Sequence, residues 1–115
     1  MLRGLALDDR VALHWGALLL CHPSLCEGFG NPPGEAMAAG CPVVTSNRSP
    51  MKEICGDAAL LVNPLDPTDI AAAIRRVSDD EALASTMRRR GIEQAAKFTW
   101  ERTARSTLAI YRELL

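Results

Sequence analysis

The segment ALLLCHPSLCEGFGNPPGEAMAAGCPVVTS, residues 17–46, decides the fold. It opens with an apolar run, residues 17–22, that lacks polar alternation and ends at a proline, which is typical of a strand buried on both faces. A loop rich in Gly and Pro follows, and Pro33 is suited to the first position of a helix that Gly40 closes. Residues 42–46 (PVVTS) predict a second buried strand. The segment is therefore predicted to be a strand–loop–helix–strand unit.

The flanking sequence continues the alternation of helices and strands. Residues 58–62 (AALLV) predict a third short strand. Further helices are expected over residues 8–15, from Ser49-Pro50 to Gly56, from Asp66-Pro67, and from a capping box at Ser78 and Glu81 towards Lys97. After a break at residues 98–100, an apolar stripe formed by Ala104, Thr107, Leu108, Tyr111 and Leu115 predicts a last helix. This order predicts an α/β domain with a short parallel sheet flanked by helices and ending in C-terminal helices. A three-stranded sheet has edges that normally pair with something, which indicates that a piece is missing.

Composition narrows the class of protein. The chain has 115 residues, 48% of them apolar, which is enough for one domain with a core. Its net charge of −1 gives no basic field for nucleic acid. No signal peptide or membrane-spanning run is visible. The four cysteines lack zinc-finger spacing, so reduced thiols are favoured over a metal or disulfide role.

The loop after the first strand carries the chemistry. It lies at the carboxyl end of a strand, where ligands bind in open α/β sheets. It leads into a helix N-terminus, which commonly binds phosphate. Gly28, Gly30 and Gly34 let the backbone approach a ligand and present N–H groups to it. Glu27 and Glu35, the latter placed in the opening turn of the helix, suit ring hydroxyls because carboxylates repel phosphate. The pattern therefore favours a sugar nucleotide.

The same residues resemble a known family. The spacing of Glu27 and Glu35 matches the E-x₇-E motif of the retaining glycosyltransferases of family 4, also called group 1, which have the two-domain GT-B fold. PSLCEGFGNPPGEAMAAGCPVVTSN is similar to that family's donor site, SPMKEICGDAALLVNPLDPTDIAAAI to the following segment, and KFTWERTARSTLAIYREL to its closing helix. The resemblance covers nearly the whole chain, and implies a Rossmann-like GT-B C-terminal domain.

The resemblance also implies roles for individual residues. Glu35 would bind the ribose hydroxyls, and Glu27 would orient the donor sugar and stabilise charge at its anomeric carbon. The backbone amides of Gly28, Phe29 and Gly30 would contact sugar hydroxyls, and those around Asn31 the diphosphate. The donor would be a UDP-, GDP- or ADP-sugar. Transfer would proceed with retention to a glycan, lipid or small-molecule acceptor, without a metal or other cofactor.

By the same comparison, residues 1–115 form one partial domain. The N-terminal acceptor domain and the first part of the donor domain, with its diphosphate-clamping basic pair, would be absent. Arg48 and Lys52 follow the second strand, but nothing makes them that pair. We therefore expect a cytoplasmic chain that is inactive alone, with peripheral contact with the inner membrane face if the acceptor is a lipid. The alternative is a non-catalytic nucleotide-sugar-binding or assembly module that pairs with a separate subunit.

Single features of the sequence also have alternative interpretations. A dinucleotide-binding loop fails because the third glycine falls one place late for G-x-G-x-x-G and no acid ends the next strand. Paired carboxylates also serve glycosidases, but that chemistry leaves the phosphate-type loop unexplained. His22 is favoured as a packed neutral imidazole over a general base. The run of Arg88, Arg89 and Arg90 favours a solvated helix face over membrane contact. Trp100 is expected to fill the junction before the last helix.

Overall fold

A computed structural model describes residues 4–115, and shows helices and strands that alternate through most of the chain. In chain order they are α1 (Leu7–Gly16), β1 (Leu20–His22), α2 (Asn31–Ala38), β2 (Val43–Ser46), α3 (Met51–Cys55), β3 (Leu60–Val62), α4 (Pro67–Asp79), α5 (Glu81–Ala95) and α6 (Trp100–Leu114). The predicted α/β class and order of elements are confirmed.

The three strands form one parallel sheet in the order β1-β2-β3. Leu20 of β1 lies opposite Val43, and Val44 of β2 lies opposite Leu60. Every residue of the central strand β2 is buried, as predicted. The three residues of β1 are only partly buried, so the prediction of burial on both faces is wrong for this strand, because β1 is an edge of the sheet.

The core lies on both faces of the sheet. Consecutive residues of β2 point to opposite faces, so Val43 joins one cluster and Val44 the other. The first cluster gathers side chains of α2 and α3, including Met37 and Ile54. The second gathers side chains of β3, α4 and α5, including Val77. This two-faced packing fixes β2 at the centre and holds the carboxyl end of the sheet in a defined position.

The last helix, α6, contributes nothing to this core. All fifteen of its residues are exposed, and Trp100 at its start is 90% exposed, so the prediction that Trp100 fills the junction is wrong. The apolar stripe predicted for this helix also faces solvent. The radius of gyration is 15.5 Å, whereas a compact chain of this length has about 13 Å. Thus α6 extends from a compact body.

Two predicted helix starts are corrected. The side chain of Asp80 accepts a hydrogen bond from Leu83 N, so Asp80 caps α5, and the proposed capping-box residue Ser78 lies inside α4. Ser49 does not cap α3, since its hydroxyl donates to the carboxylate of Glu53 at 2.9 Å. At α5 the carboxylate of Asp80 lies nearer the helix than Ser78 and takes the capping role, whereas α3 has no side-chain cap.

Candidate functional site

The loop between β1 and α2 forms the start of the candidate site. Helix α2 begins at Asn31, two residues before the predicted position, and Gly30 is its N-cap with φ of 100°. A φ of 100° strains any residue that has a Cβ, so this turn favours glycine, and a Cβ added here would also require the terminal methyl of Met51 to move. In contrast, nothing lies within 4 Å of a Cβ added to Gly28 or Gly34. Gly30 is therefore needed by the fold, while the other two glycines border open space.

A row of unpaired backbone N–H groups lies at this helix end. Within residues 4–115, none of the amides of residues 28–31 donates to a backbone carbonyl. The next two residues of α2 are Pro32 and Pro33, which have no N–H, and Gly34 N already donates to Gly30 O at 3.2 Å. The donors that remain at the positive end of the helix dipole are thus those of Gly28, Phe29, Gly30 and Asn31.

Glu35 is held by a cation from another helix. Both of its carboxylate oxygens accept hydrogen bonds from the Arg10 Nη1 atom, each at 3.1 Å. Arg10 belongs to α1, and the side chains of the pair are 44% and 30% exposed for Arg10 and Glu35. Because α2 begins earlier than predicted, Glu35 lies in its second turn and not in its opening turn. The carboxylate stays accessible, but an incoming hydroxyl must compete with Arg10.

Glu27 is hydrogen-bonded to the strand that precedes the loop. Its Oε1 atom lies 2.8 Å from Nε2 of His22, the last residue of β1. Hydrogen bonding, first from His22 and second from Ser24, holds the pKa of the Glu27 carboxyl below its ordinary value. The side chains of His22 and Glu27 are 26% and 28% exposed. Glu27 is therefore an ionised and partly exposed acceptor.

A cleft of about 680 Å³ opens beside Glu35, between α2 and the start of α6. Phe29, Asn31 and Gly34 also line it, opposite Phe98 and Trp100. The ring of Phe29 meets that of Phe98 edge to face, with 5.9 Å between centroids. The cleft is lined mainly by apolar groups together with a few polar residues, namely Asn31, Glu35, Thr99 and Thr103, which is common for a ligand site.

The structure brings together only part of the predicted set. Glu35, Phe29 and Asn31 share the cleft, whereas Glu27, Gly28 and Gly30 do not line it. Sequence reasoning missed Arg10 completely, since a surface arginine on a short helix carries no motif. It also missed the contact of His22 with Glu27, although His22 ends the strand directly before the loop, and that position was the available signal.

The remaining candidate groups are accounted for elsewhere. Arg88, Arg89 and Arg90 pair with Glu81, Glu93 and Asp57 respectively, as expected of a solvated helix face.

The four cysteines are free thiols, and burial raises the pKa of Cys55 to about 11. Among residues 4–115, no group of three or more His, Cys, Asp or Glu side chains is arranged to hold a metal ion. In this same range, no helix has both the length and the apolar character to span a bilayer.

Comparison with known proteins identifies the family. A strand–loop–helix unit with free amides at the helix N-terminus is a common setting for ligand sites in α/β domains. Residues 4–98 match the family described as glycosyl transferases group 1, and the chain belongs to that family. It also resembles a solved structure, sucrose-phosphate synthase from Thermosynechococcus elongatus, with a TM-score of 0.80 and 34% identity. The fold is therefore that of the C-terminal part of a GT-B glycosyltransferase.

Its relatives are longer proteins. The chain is 37% identical over 107 residues to O-antigen chain mannosyltransferase B of Escherichia coli, covering 93% of this chain and 28% of that protein. It is 41% identical over 98 residues to a D-inositol 3-phosphate glycosyltransferase of a Nocardioides species, covering 84% of this chain and 21% of that protein. The match to the synthase covers 96% of this chain and 29% of the other. The chain thus spans less than a third of each of these three.

Proposed function

We propose that this chain supplies the donor-binding surface of a glycosyltransferase that uses a nucleoside diphosphate sugar. Glu35 would accept hydrogen bonds from the ribose hydroxyls, and Glu27 from hydroxyls of the donor sugar. The amides of residues 28–31 would bind the diphosphate and the sugar between them. The observation that carries the proposal is the row of four unpaired amides, flanked by two partly exposed carboxylates.

The electrostatics support this division of roles. Negative charge is favoured at the free amides of a helix N-terminus, so the diphosphate belongs there and not beside a carboxylate. The open space beside Gly28 and Gly34 leaves room for a ligand against the backbone. The same amides would stabilise charge that develops on the diphosphate as the glycosidic bond breaks. Transfer with retention and without a metal is proposed on the family resemblance.

The acceptor-binding part is proposed to lie outside these 115 residues, either in the same polypeptide or in a partner subunit. The second arrangement corresponds to the alternative function, a nucleotide-sugar-binding module without activity of its own. The exposed apolar residues of α6, among them Leu108 at 48% and Tyr111 at 61%, favour some covering partner in either case. Light scattering of the chain alone and with a co-expressed neighbouring protein distinguishes a stable monomer from a hetero-complex.

Nucleotide binding is the first test. UDP, GDP and ADP are titrated calorimetrically into the chain and into its Glu35→Gln variant. Loss of one charged hydrogen bond is expected to cost ~1.5–3 kcal/mol of affinity for the nucleotide that binds. Glu81→Gln is the matched control, because Glu81 is an ion-paired glutamate on the surface of α5. Unchanged affinity in Glu35→Gln would remove Glu35 from the site.

A further inference from the structure

His22 is fixed in place before any ligand arrives. It is the last residue of β1 and lies opposite Thr45 of β2. Its backbone carbonyl accepts a hydrogen bond from the Thr45 hydroxyl at 2.8 Å, and Thr45 is completely buried. The backbone of His22 is thus held by the central strand, so the imidazole starts from a rigid base at the carboxyl end of the sheet.

The contact of His22 with Glu27 has a defined direction. A carboxylate only accepts hydrogen bonds, so the imidazole Nε2 atom, 2.8 Å from Glu27 Oε1, must carry a proton. In the neutral ring this requires the Nε2–H tautomer. Neither residue contacts Glu35, whose hydrogen-bond partner is Arg10. The two carboxylates of the loop are therefore held by separate groups.

From this geometry we infer that His22 is the positioning residue of Glu27, and that it fixes the carboxylate that recognises the donor sugar. This role rests on the proposed function. It would make His22 a determinant of how strongly the site prefers the nucleotide sugar over the bare nucleotide. A carboxylate held in its binding orientation loses less conformational freedom when the sugar docks. His22 would act only through Glu27 and would contact neither the sugar nor the nucleotide.

Two substitutions separate positioning from bulk structure. His22→Gln keeps an N–H donor at about the distance of Nε2, whereas His22→Phe keeps a planar ring and removes the donor. Both retain the backbone carbonyl that Thr45 uses. Thermal unfolding of each variant shows that the fold is preserved before binding is compared.

The binding test compares each nucleotide with its sugar, namely UDP with UDP-glucose, GDP with GDP-mannose and ADP with ADP-glucose. In His22→Phe we expect affinity for the bare nucleotide to stay within about twofold of wild type, since Glu35 is untouched. Affinity for the nucleotide sugar should fall about tenfold, and His22→Gln should restore most of it. Equal losses for nucleotide and sugar, or no rescue by Gln, would overturn the inference.

NMR tests the contact without any ligand, so it remains decisive even if the chain binds no nucleotide and the proposed function fails. The imidazole nitrogen shifts should report the Nε2–H tautomer of His22. The pKa of Glu27, followed by carboxyl carbon shifts, should rise in His22→Phe and remain low in His22→Gln. An Nδ1–H tautomer, or a Glu27 pKa that is the same in all three proteins, would contradict the positioning role.

Discussion

Glu27 and Glu35 lie in one continuous segment, yet different parts of the molecule hold them. Glu27 pairs with His22, five residues earlier, on a strand end anchored to the buried centre of the sheet. Glu35 pairs with Arg10, twenty-five residues earlier, on a helix that has no buried residue. The exposed fractions of the two glutamates are nearly equal, at 28% and 30%. The two glutamates differ in the position of their hydrogen-bond partner, which belongs to the central sheet for Glu27 and to a helix without buried residues for Glu35.

This difference suggests how each carboxylate meets its ligand. The partner of Glu27 belongs to the rigid sheet, so this carboxylate is already oriented. The partner of Glu35 is a long, partly exposed side chain, and such pairs contribute about 0–1 kcal/mol, so the ribose proposed to bind there would displace it at little cost. We expect the Glu27 end of the site, which is proposed to bind the sugar, to be rigid. The Glu35 end, which is proposed to bind the ribose, should adapt to its ligand. Gly30 joins the two ends.

Gly30→Ala tests the junction between the two ends. An L residue is strained at a φ of 100°, and the new Cβ would displace the terminal methyl of Met51, so the free energy of unfolding should fall by about 1–3 kcal/mol, mainly because of the φ. Gly34→Ala, in the same helix but facing open space, is the control and should stabilise by up to about 1 kcal/mol. Urea unfolding measures both. Similar losses in the two variants would show that the turn is not constrained as described.

Phe98→Ala tests the wall of the cleft on the Glu35 side. Loss of the edge-to-face contact with Phe29 should lower the free energy of unfolding by about 0.5–1.5 kcal/mol, measured by thermal unfolding. Trp100→Ala should change it by less than about 0.5 kcal/mol, because that side chain is 90% exposed. A larger loss for Trp100 than for Phe98 would contradict the position of α6.

The pH dependence of stability tests the Glu27 side. The folded-state pKa of Glu27 is lowered, so its stabilising contribution is present above its ordinary value of 4.5 and is lost as pH falls through the folded-state pKa. The difference in unfolding free energy between wild type and Glu27→Gln should therefore shrink as the pH falls from 6 towards about 3. The same comparison in a His22→Phe background should show a weaker dependence. A difference that grows on acidification would have the wrong sign.

Arg10→Ala tests the adaptable end and should have the smallest effect. The exposed ion pair contributes less than about 1 kcal/mol to folding. Removing it frees Glu35, so affinity for the nucleotide should increase by about two- to fivefold in calorimetric titration. Lys52→Ala is a control that removes a cation from an exposed position on α3. Weaker nucleotide binding in Arg10→Ala would mean that Arg10 is itself a ligand of the nucleotide.

Much of the fold followed from local patterns. The apolar runs of β2 and β3 and the N-cap at Asp66, which is followed by Pro67, are short-range signals, and the structure confirms their elements. The exposure of α6 did not follow, because an apolar stripe predicts a buried face whether or not a partner is present in the same chain. The partial burial of β1 depends on strand order, which periodicity does not encode.

The candidate site was predictable only in its loop. The glycines and the two glutamates carry a motif with physical meaning, but the partners of the glutamates do not. Arg10 reaches Glu35 only because α1 lies beside α2 in three dimensions. His22 reaches Glu27 because the loop turns back on the strand end. Neither geometry can be read from spacing alone.

The proposed roles of the two glutamates are tested together by calorimetric titration of wild type, Glu35→Gln and Glu27→Gln with a nucleoside diphosphate and with the matching nucleotide sugar. Glu35→Gln should weaken binding of both ligands by about tenfold or more, whereas Glu27→Gln should weaken only the nucleotide sugar. If the two variants weaken both ligands equally, or neither weakens any, the assignment of ribose and sugar to the two carboxylates is contradicted.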